Sequence, residues 1–139
     1  MSDGLVEFLR ARLDEDEQIA RRACEYAEAE WRLDEEFGET VLWWPPEPHI
    51  AEKEREKGLP VVSDQWRGQT IDSRIAPHVA RHDPARVLRE IDAKRETVHW
   101  HLHEECCSVC LDDVEGCPLF RALATPYADH PDYREGWRP

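Results

Sequence analysis

The sequence has no long apolar run, and this absence excludes several classes of protein. No stretch approaches the roughly 20 consecutive apolar residues of a membrane-spanning helix. The first eighteen residues, MSDGLVEFLRARLDEDEQ, are charged throughout and contain no apolar segment of signal-peptide length. We therefore expect a cytoplasmic protein that does not associate with membranes.

Positive charge is also scarce. The chain has 18 Lys and Arg residues against 31 Asp and Glu residues, which gives a formal net charge of −13. Proteins that bind DNA or RNA directly need clustered Lys and Arg side chains to contact the phosphates. The composition therefore argues against direct nucleic-acid binding.

The familiar catalytic motifs are absent. The sequence contains no glycine-rich phosphate loop, no nucleophile elbow, no Walker motif and no internal repeat. Neighbouring carboxylates are frequent, but so acidic a chain produces them by chance, and we expect Asp112 and Asp113 to form a polar turn. No residue is therefore assigned a catalytic role.

Cysteine and histidine, in contrast, are concentrated in one stretch. His99 to Cys117 holds three of the seven histidines and four of the five cysteines within nineteen residues. An odd number of cysteines cannot pair completely, and in a reducing compartment metal ligands are expected before disulfides. Thiolate and imidazole are the ligands that zinc prefers, so the stretch predicts a structural Zn²⁺ site.

The cysteine ligands follow from spacing. Cys107 and Cys110 form a Cys-x-x-Cys pair, which projects two sulfurs from one tight turn, and Cys117 returns the chain to the metal. Cys106 is either a spare thiol or an alternative to Cys107. Catalytic zinc keeps one coordination position for water, whereas a full set dominated by sulfur favours a closed structural site.

Helical periodicity selects the histidine. His101 follows Val98 by three residues and so continues the apolar stripe of the preceding helix, whereas His99 and His103 lie to its sides. We predict His101 as the fourth ligand, with His103 as the alternative. A histidine on this face could equally be a hydrogen-bonded core residue.

At 139 residues the chain is predicted to be a single domain of the α+β class, mostly α-helical. We expect three to four helices, a small two- or three-stranded antiparallel sheet, and the Cys/His site near the C-terminal end. Three parts follow one another: an acidic helical region over residues 1–38, a small sheet with variable loops over 39–75, and residues 76–139 with the remaining helices and the zinc site.

The pattern of residues 1–38 predicts an amphipathic helix that ends at Gly38. The helix is either continuous or broken near Glu15 to Glu17. Its apolar positions are Leu5, Phe8, Leu9, Leu13, Ala20, Cys24, Ala27 and Trp31. Residues 1–40 contain thirteen acidic and five basic residues, a net charge of −8. Most of this charge is expected on a solvated helix face.

In the middle part, residues 39–44 predict a strand, and residues 59–63 and 69–73 could pair as a hairpin. Residues 50–57 are either a short exposed helix or an excursion of the chain. The large anchors expected to pack this sheet against helices are Trp43, Trp44 and Trp66.

In the last part, Ile75 to His82 predicts one or two helical turns, with His78 and His82 in surface or capping roles. Asp83 and Pro84 predict the N-cap and first turn of a helix that continues to about Leu102. A further helix begins at Pro118 and is expected to cover the zinc loop. The aromatic tail that follows, residues 126–139, is expected to dock on the core or on a partner.

Three segments together resemble a family of small actinobacterial proteins known as domain of unknown function 6221. They are HVARHDPARVLREIDAKR at His78–Arg95, the pair Cys107-x-x-Cys110 with Cys117-Pro118, and the ending LATPYADHPDYREGWRP. The resemblance is loose over residues 1–36 and close over 78–139. It implies His101, Cys107, Cys110 and Cys117 as a ligand set, and it implies no activity.

Three functions are compatible with these features. The first is a zinc-stabilised module without catalytic activity that binds a protein partner. The second is an inhibitor whose acidic N-terminal helix imitates nucleic-acid phosphate and occupies a basic site on a DNA- or RNA-binding protein. The third is a small zinc-dependent enzyme, with water as one zinc ligand and His78, His82 or His99 as a base.

Overall fold

A computed structural model of the chain describes residues 4–26, 28–33, 41–43, 59–62, 75–103, 107–109 and 113–139. These residues are mostly helical, as predicted. The elements are α1 (Gly4–Tyr26), β1 (Arg32–Leu33), β2 (Val41–Trp43), β3 (Leu59–Val62), α2 (Ala76–Arg81), α3 (Pro84–His103) and α4 (Pro118–Ala124). Single 3₁₀ turns occupy Val114–Gly116, Thr125–Tyr127 and Glu135–Trp137. No helix in this described part is both long and apolar enough to cross a bilayer.

The chain divides into two compact units. One, here called the terminal unit, consists of Met1–Glu17 with Glu90–Pro139, and the other, the middle unit, consists of Gln18–Arg89. The division falls inside both α1 and α3. The single-domain organisation of residues 1–139 stays a prediction.

Helix α1 forms because its apolar residues recur every three or four positions and bury one face. Leu5, Leu9 and Leu13 are all buried. The helix runs without a break through Glu15 to Glu17, but it ends at Tyr26. The prediction that it continues to Gly38, with Trp31 on its apolar face, was therefore wrong.

The early end of α1 has a tertiary cause within the middle unit. The carbonyl of Ala29 accepts a hydrogen bond from the backbone N–H of Ala85 at 3.0 Å. The backbone N–H of Trp31 donates to the Asp83 carboxylate at 3.1 Å. These partners lie more than fifty positions away, and they satisfy the backbone groups that a longer helix would have paired internally.

The three strands pair in the order β1-β2-β3, antiparallel throughout. Arg32 faces Leu42 across the first pair, Trp43 faces Leu59 across the second, and the register shifts between Val41 and Leu42. Val41 is fully buried. The central strand thus lies within the predicted strand at residues 39–44, and β3 lies within the predicted segment 59–63.

Several predictions for the middle part concern residues that the structure does not describe. Residues 50–57 and 69–73 lie outside the described residues, as do Trp44, Trp66 and the side chain of Trp43.

The junction between α2 and α3 follows from local capping. Asp83 accepts a hydrogen bond from the backbone N–H of Arg86 at 2.8 Å, and Pro84 opens the helix, so the predicted N-cap is confirmed. His82 is the C-cap residue of α2, and its Nδ1 lies 2.8 Å from the carbonyl oxygen of His78. This contact agrees with the capping role predicted for these exposed histidines.

The core of the terminal unit combines α1, α3, α4 and the aromatic tail. Its buried members are Leu5, Val6, Phe8, Leu9, Val98, Cys117, Phe120, Ala124 and Trp137. The Phe8 ring has its centroid 5.1 Å from that of Trp137 and 5.9 Å from that of Tyr133. The tail therefore docks on the core, as predicted.

Polar contacts add to this packing. The Tyr127 hydroxyl donates to the Asp16 carboxylate at 2.6 Å. Arg95 donates to Asp14 and forms an ion pair with Glu17, and these contacts raise its pKa, with the Glu17 hydrogen bond as the largest cause. Partly exposed pairs of this kind contribute about 0–1 kcal/mol each.

Replacement of Tyr127 by Phe should change how stability depends on pH. Burial, and then the Asp16 hydrogen bond, raise the pKa of Tyr127 above its ordinary value of 10.0. Because the folded-state pKa is the higher one, folding favours the protonated phenol, and its contribution is complete below pH 10 and lost above it. The free energy of unfolding, measured in urea, should be higher for wild type than for Tyr127→Phe. This difference should be largest at neutral pH and should shrink above about pH 10. A gap that is constant with pH would contradict this account.

Candidate metal centre

Three side chains with metal-ligating atoms meet in the terminal unit. The ligand atoms of His101, Cys107 and Cys117 all lie within 4.8 Å of one another. His101 Nε2 and Cys117 Sγ are 3.3 Å apart. Cys117 is buried, with 1% of its surface exposed, and the other two are partly buried.

These separations fit a tetrahedral ion. With Zn–S distances near 2.3 Å and Zn–N distances near 2.0 Å, two ligand atoms of one tetrahedron are roughly 3.5–3.8 Å apart. The 3.3 Å between His101 Nε2 and Cys117 Sγ is slightly shorter than this range. All the ligand atoms lie within 4.8 Å of one another, and this limit is compatible with tetrahedral spacing for every pair. Two sulfurs and one imidazole nitrogen are a donor set suited to Zn²⁺ and unsuited to Mg²⁺ or Ca²⁺. The group could therefore hold a zinc-like ion.

Helix α3 brings His101 to this position. His101 lies in its last turn, three residues after the buried Val98, so its ring continues the apolar stripe. The His101 and Phe120 rings pack edge to face, at a centroid distance of 5.3 Å. His99 and His103 are both exposed, as expected for positions to the sides of the stripe.

A turn between α3 and α4 positions Cys117. The Asp113 carboxylate accepts from the backbone N–H of Glu115, and Arg121 Nε donates to the carbonyl of Glu115 at 2.8 Å. Cys117 donates its backbone N–H to Val114 and its carbonyl accepts from Arg121, at the N-cap of α4. Hydrogen bonds therefore hold the chain both before and after Cys117.

Gly116 makes a close approach to a side chain in this turn. A Cβ atom at this position would lie 2.7 Å from Asp113 Oδ2, which is shorter than any real carbon contact. Since the same carboxylate caps the turn, a side chain here would push Asp113 away from Glu115. The predicted role of Asp113 in a polar turn is confirmed, and Asp112 lies outside the described residues.

The structure thus brings together three of the four predicted ligands. Cys110 and the alternative Cys106 lie outside the described residues. The alternative His103 is not part of the group. The metal itself and the complete ligand set stay predictions.

Two contacts at this site are not indicated by any sequence pattern. The bond from Arg121 to Glu115 joins a side chain to a carbonyl six positions away, and only the conformation of the turn creates it. The helix that begins at Pro118 was predicted to cover the loop, but the contact of its Phe120 with His101 depends on how two helices pack. Cys24, Cys107 and Cys117 are in no disulfide.

Residues 2–139 match the sequence model of a family described as "Family of unknown function (DUF6221)". No curated protein and no solved structure matches the chain.

Removal of one sulfur should weaken metal binding selectively. Replacing a residue that merely orients a ligand costs about 10–100-fold in metal affinity, so Cys117→Ser should cost at least about a hundredfold. Competition with a chromophoric chelator measures the affinity. Cys24→Ser is the matched control, because this described cysteine lies in the middle unit, outside the group, and should leave affinity unchanged. Equal affinities of the two variants would rule out Cys117 as a ligand.

Proposed function

We propose that this chain, which belongs to the family of unknown function, is a protein-interaction module without catalytic activity. A structural zinc ion stabilises the module. The observation that carries the proposal is the convergence of one imidazole and two thiols inside the terminal unit. Zinc binding there supplies folding energy rather than reactivity.

The proposed ligands are His101, Cys107, Cys110 and Cys117. The first, second and fourth supply the converging atoms, and Cys110 follows Cys107 at the spacing that places two sulfurs on one ion. Three thiolates and one imidazole complete a tetrahedron of protein ligands, which favours a closed site.

This ligand set would fasten two helices of the terminal unit. His101 lies in the last turn of α3 and Cys117 is the N-cap residue of α4. Structural zinc contributes about 10–16 kcal/mol in small zinc-finger peptides, which is comparable to the whole stability of a typical domain at about 5–15 kcal/mol. The terminal unit should therefore depend on the ion for its folded state.

The proposed contact surface lies beside the ligands along the chain. Trp100, which precedes His101, has 53% of its surface exposed, and Val109, two positions after Cys107, has 41% exposed. A single exposed aliphatic residue is ordinary, but tryptophan is enriched among the residues that dominate protein interfaces. A rigid zinc-bound frame would hold Trp100 in place for a protein partner.

The second hypothesis is the acidic inhibitor, and the bonding of several α1 carboxylates argues against it. Mimicry of phosphate needs carboxylates that are free on one continuous face. Asp14 and Glu17 are bonded to Arg95, and Asp16 accepts from Tyr127.

The enzyme hypothesis differs from the main proposal at one ligand, since it requires water where we place Cys110.

Zinc removal tests the structural role. The purified full chain should contain one equivalent of zinc, and chelation should lower its melting temperature and reduce its helical circular dichroism, because the end of α3 loses its attachment to α4. Re-addition of Zn²⁺ should restore both signals. Unchanged melting, together with no zinc in elemental analysis, would overturn the proposal. A ligand set with water in place of Cys110, seen by X-ray absorption, would support the enzyme instead.

Substitution of Trp100 tests the interaction role. Trp100→Ala should retain zinc, because Trp100 is not among the proposed ligands, but should lose a protein partner that the wild-type chain binds through this half-exposed side chain. Ile19→Ala removes another exposed apolar side chain, 63% accessible, and is the matched control that should keep the partner. Binding is measured by co-purification and repeated with purified components. Equal binding by both variants would exclude Trp100 as the contact.

A further inference from the structure

We propose that His99 and His103 form a second, solvent-facing site for a divalent transition-metal ion of the kind imidazole prefers, such as Ni²⁺, Cu²⁺ or Zn²⁺. Both residues lie in α3, at positions i and i+4 of regular helix. Their ring centroids are 4.5 Å apart, with 43° between the ring planes. This site is independent of the zinc site proposed above.

The chemistry follows from this spacing. Residues four apart are neighbours on one helix face, and paired histidines at this spacing are a known way to hold zinc on a helix. An imidazole nitrogen binds such an ion at about 2.0 Å, so two rings at this separation can share one ion after small rotations of their side chains. Water would complete the coordination.

Both rings are available. His99 and His103 are exposed, and the structure records no hydrogen bond from either ring to any residue that it describes. Neither belongs to the group formed by His101, Cys107 and Cys117. Since His101 lies midway between them in sequence, the helix turns it to a different face, where its Nε2 lies against Cys117.

The surrounding charges tolerate a cation. Arg10 and Arg95 line a cleft beside His99, together with Asp14. Arg95 is bonded to the carboxylates of Asp14 and Glu17, so two negative charges offset the two guanidinium groups. The net charge of −13 further raises the concentration of cations near the chain.

The middle unit contains a second histidine pair with the same spacing, which serves as an internal comparison. The rings of His78 and His82 are 4.2 Å apart. There, however, His82 Nδ1 is already in contact with the His78 carbonyl, and His82 has left helical geometry, with φ −105° and ψ 43°. The pair that lies wholly in regular helix, and whose rings make no hydrogen bond to a described residue, is the better chelator.

The test uses the full chain loaded with zinc and titrated with Ni²⁺ in a calorimeter, in the wild type, His99→Ala, His103→Ala and the double variant His78→Ala/His82→Ala. Elemental analysis of each protein gives its zinc content. Wild type should bind one tight equivalent of Ni²⁺ beyond its zinc. Each single variant should bind it at least about tenfold more weakly, because two linked ligands bind far more tightly than one. The double variant should match wild type.

Three outcomes would overturn the second site. The first is a wild type that binds Ni²⁺ no more tightly than His99→Ala or His103→Ala does. The second is loss of the tight equivalent in the double variant, which would place it at His78 and His82. The third is loss of zinc from His103→Ala but not from His99→Ala, which would make His103 a ligand of the first site. Absence of zinc from wild type would instead count against the proposed function and leave the Ni²⁺ measurement to decide this one.

Discussion

The contact between the His101 imidazole and the Cys117 thiol is the constraint on which the terminal unit depends. It joins the last turn of α3 to the N-cap of α4 across 3.3 Å. Bringing these residues together requires the intervening chain to close into a loop, which costs conformational entropy. The bonded turn around Asp113 and Glu115 fixes part of that loop, and a metal ion shared by the ligands would fix the remainder.

The candidate metal centre and the apolar core are continuous. Cys117 belongs to the same buried cluster as Phe8 and Trp137, and Phe120 contacts the His101 ring while it fills that cluster. Packing therefore sets the direction of these side chains, and an ion shared by them would in turn fix the helices that supply the core. A small unit gains from such coupling, because the hydrophobic burial of a small unit alone stabilises it only marginally. This coupling is the reason for proposing that an ion held there would have a structural role.

Acidity of the N-terminal helix has a partly structural explanation. Asp14 and Glu17 bind Arg95, and Asp16 accepts the Tyr127 hydroxyl, so three carboxylates of α1 connect it to α3 and to the segment after α4. The other exposed charges alternate with arginines and are typical of a solvated helix face. Net charge thus says less about a partner than the half-exposed Trp100 does.

Local signals were sufficient for much of the fold and for part of the site. The caps at Asp83 and the proline at position 118 gave the starts of two helices, and periodicity placed His101 on the buried face, because each depends on residues within one or two turns. Tertiary structure alone decided that α1 ends at Tyr26, that Tyr127 bonds Asp16 and that Arg121 supports the turn of Cys117. The first two of these depend on partners tens of residues away along the chain, and the third on the conformation of a folded turn. Sequence patterns show which face of a helix is buried, whereas only the folded chain determines what that face meets.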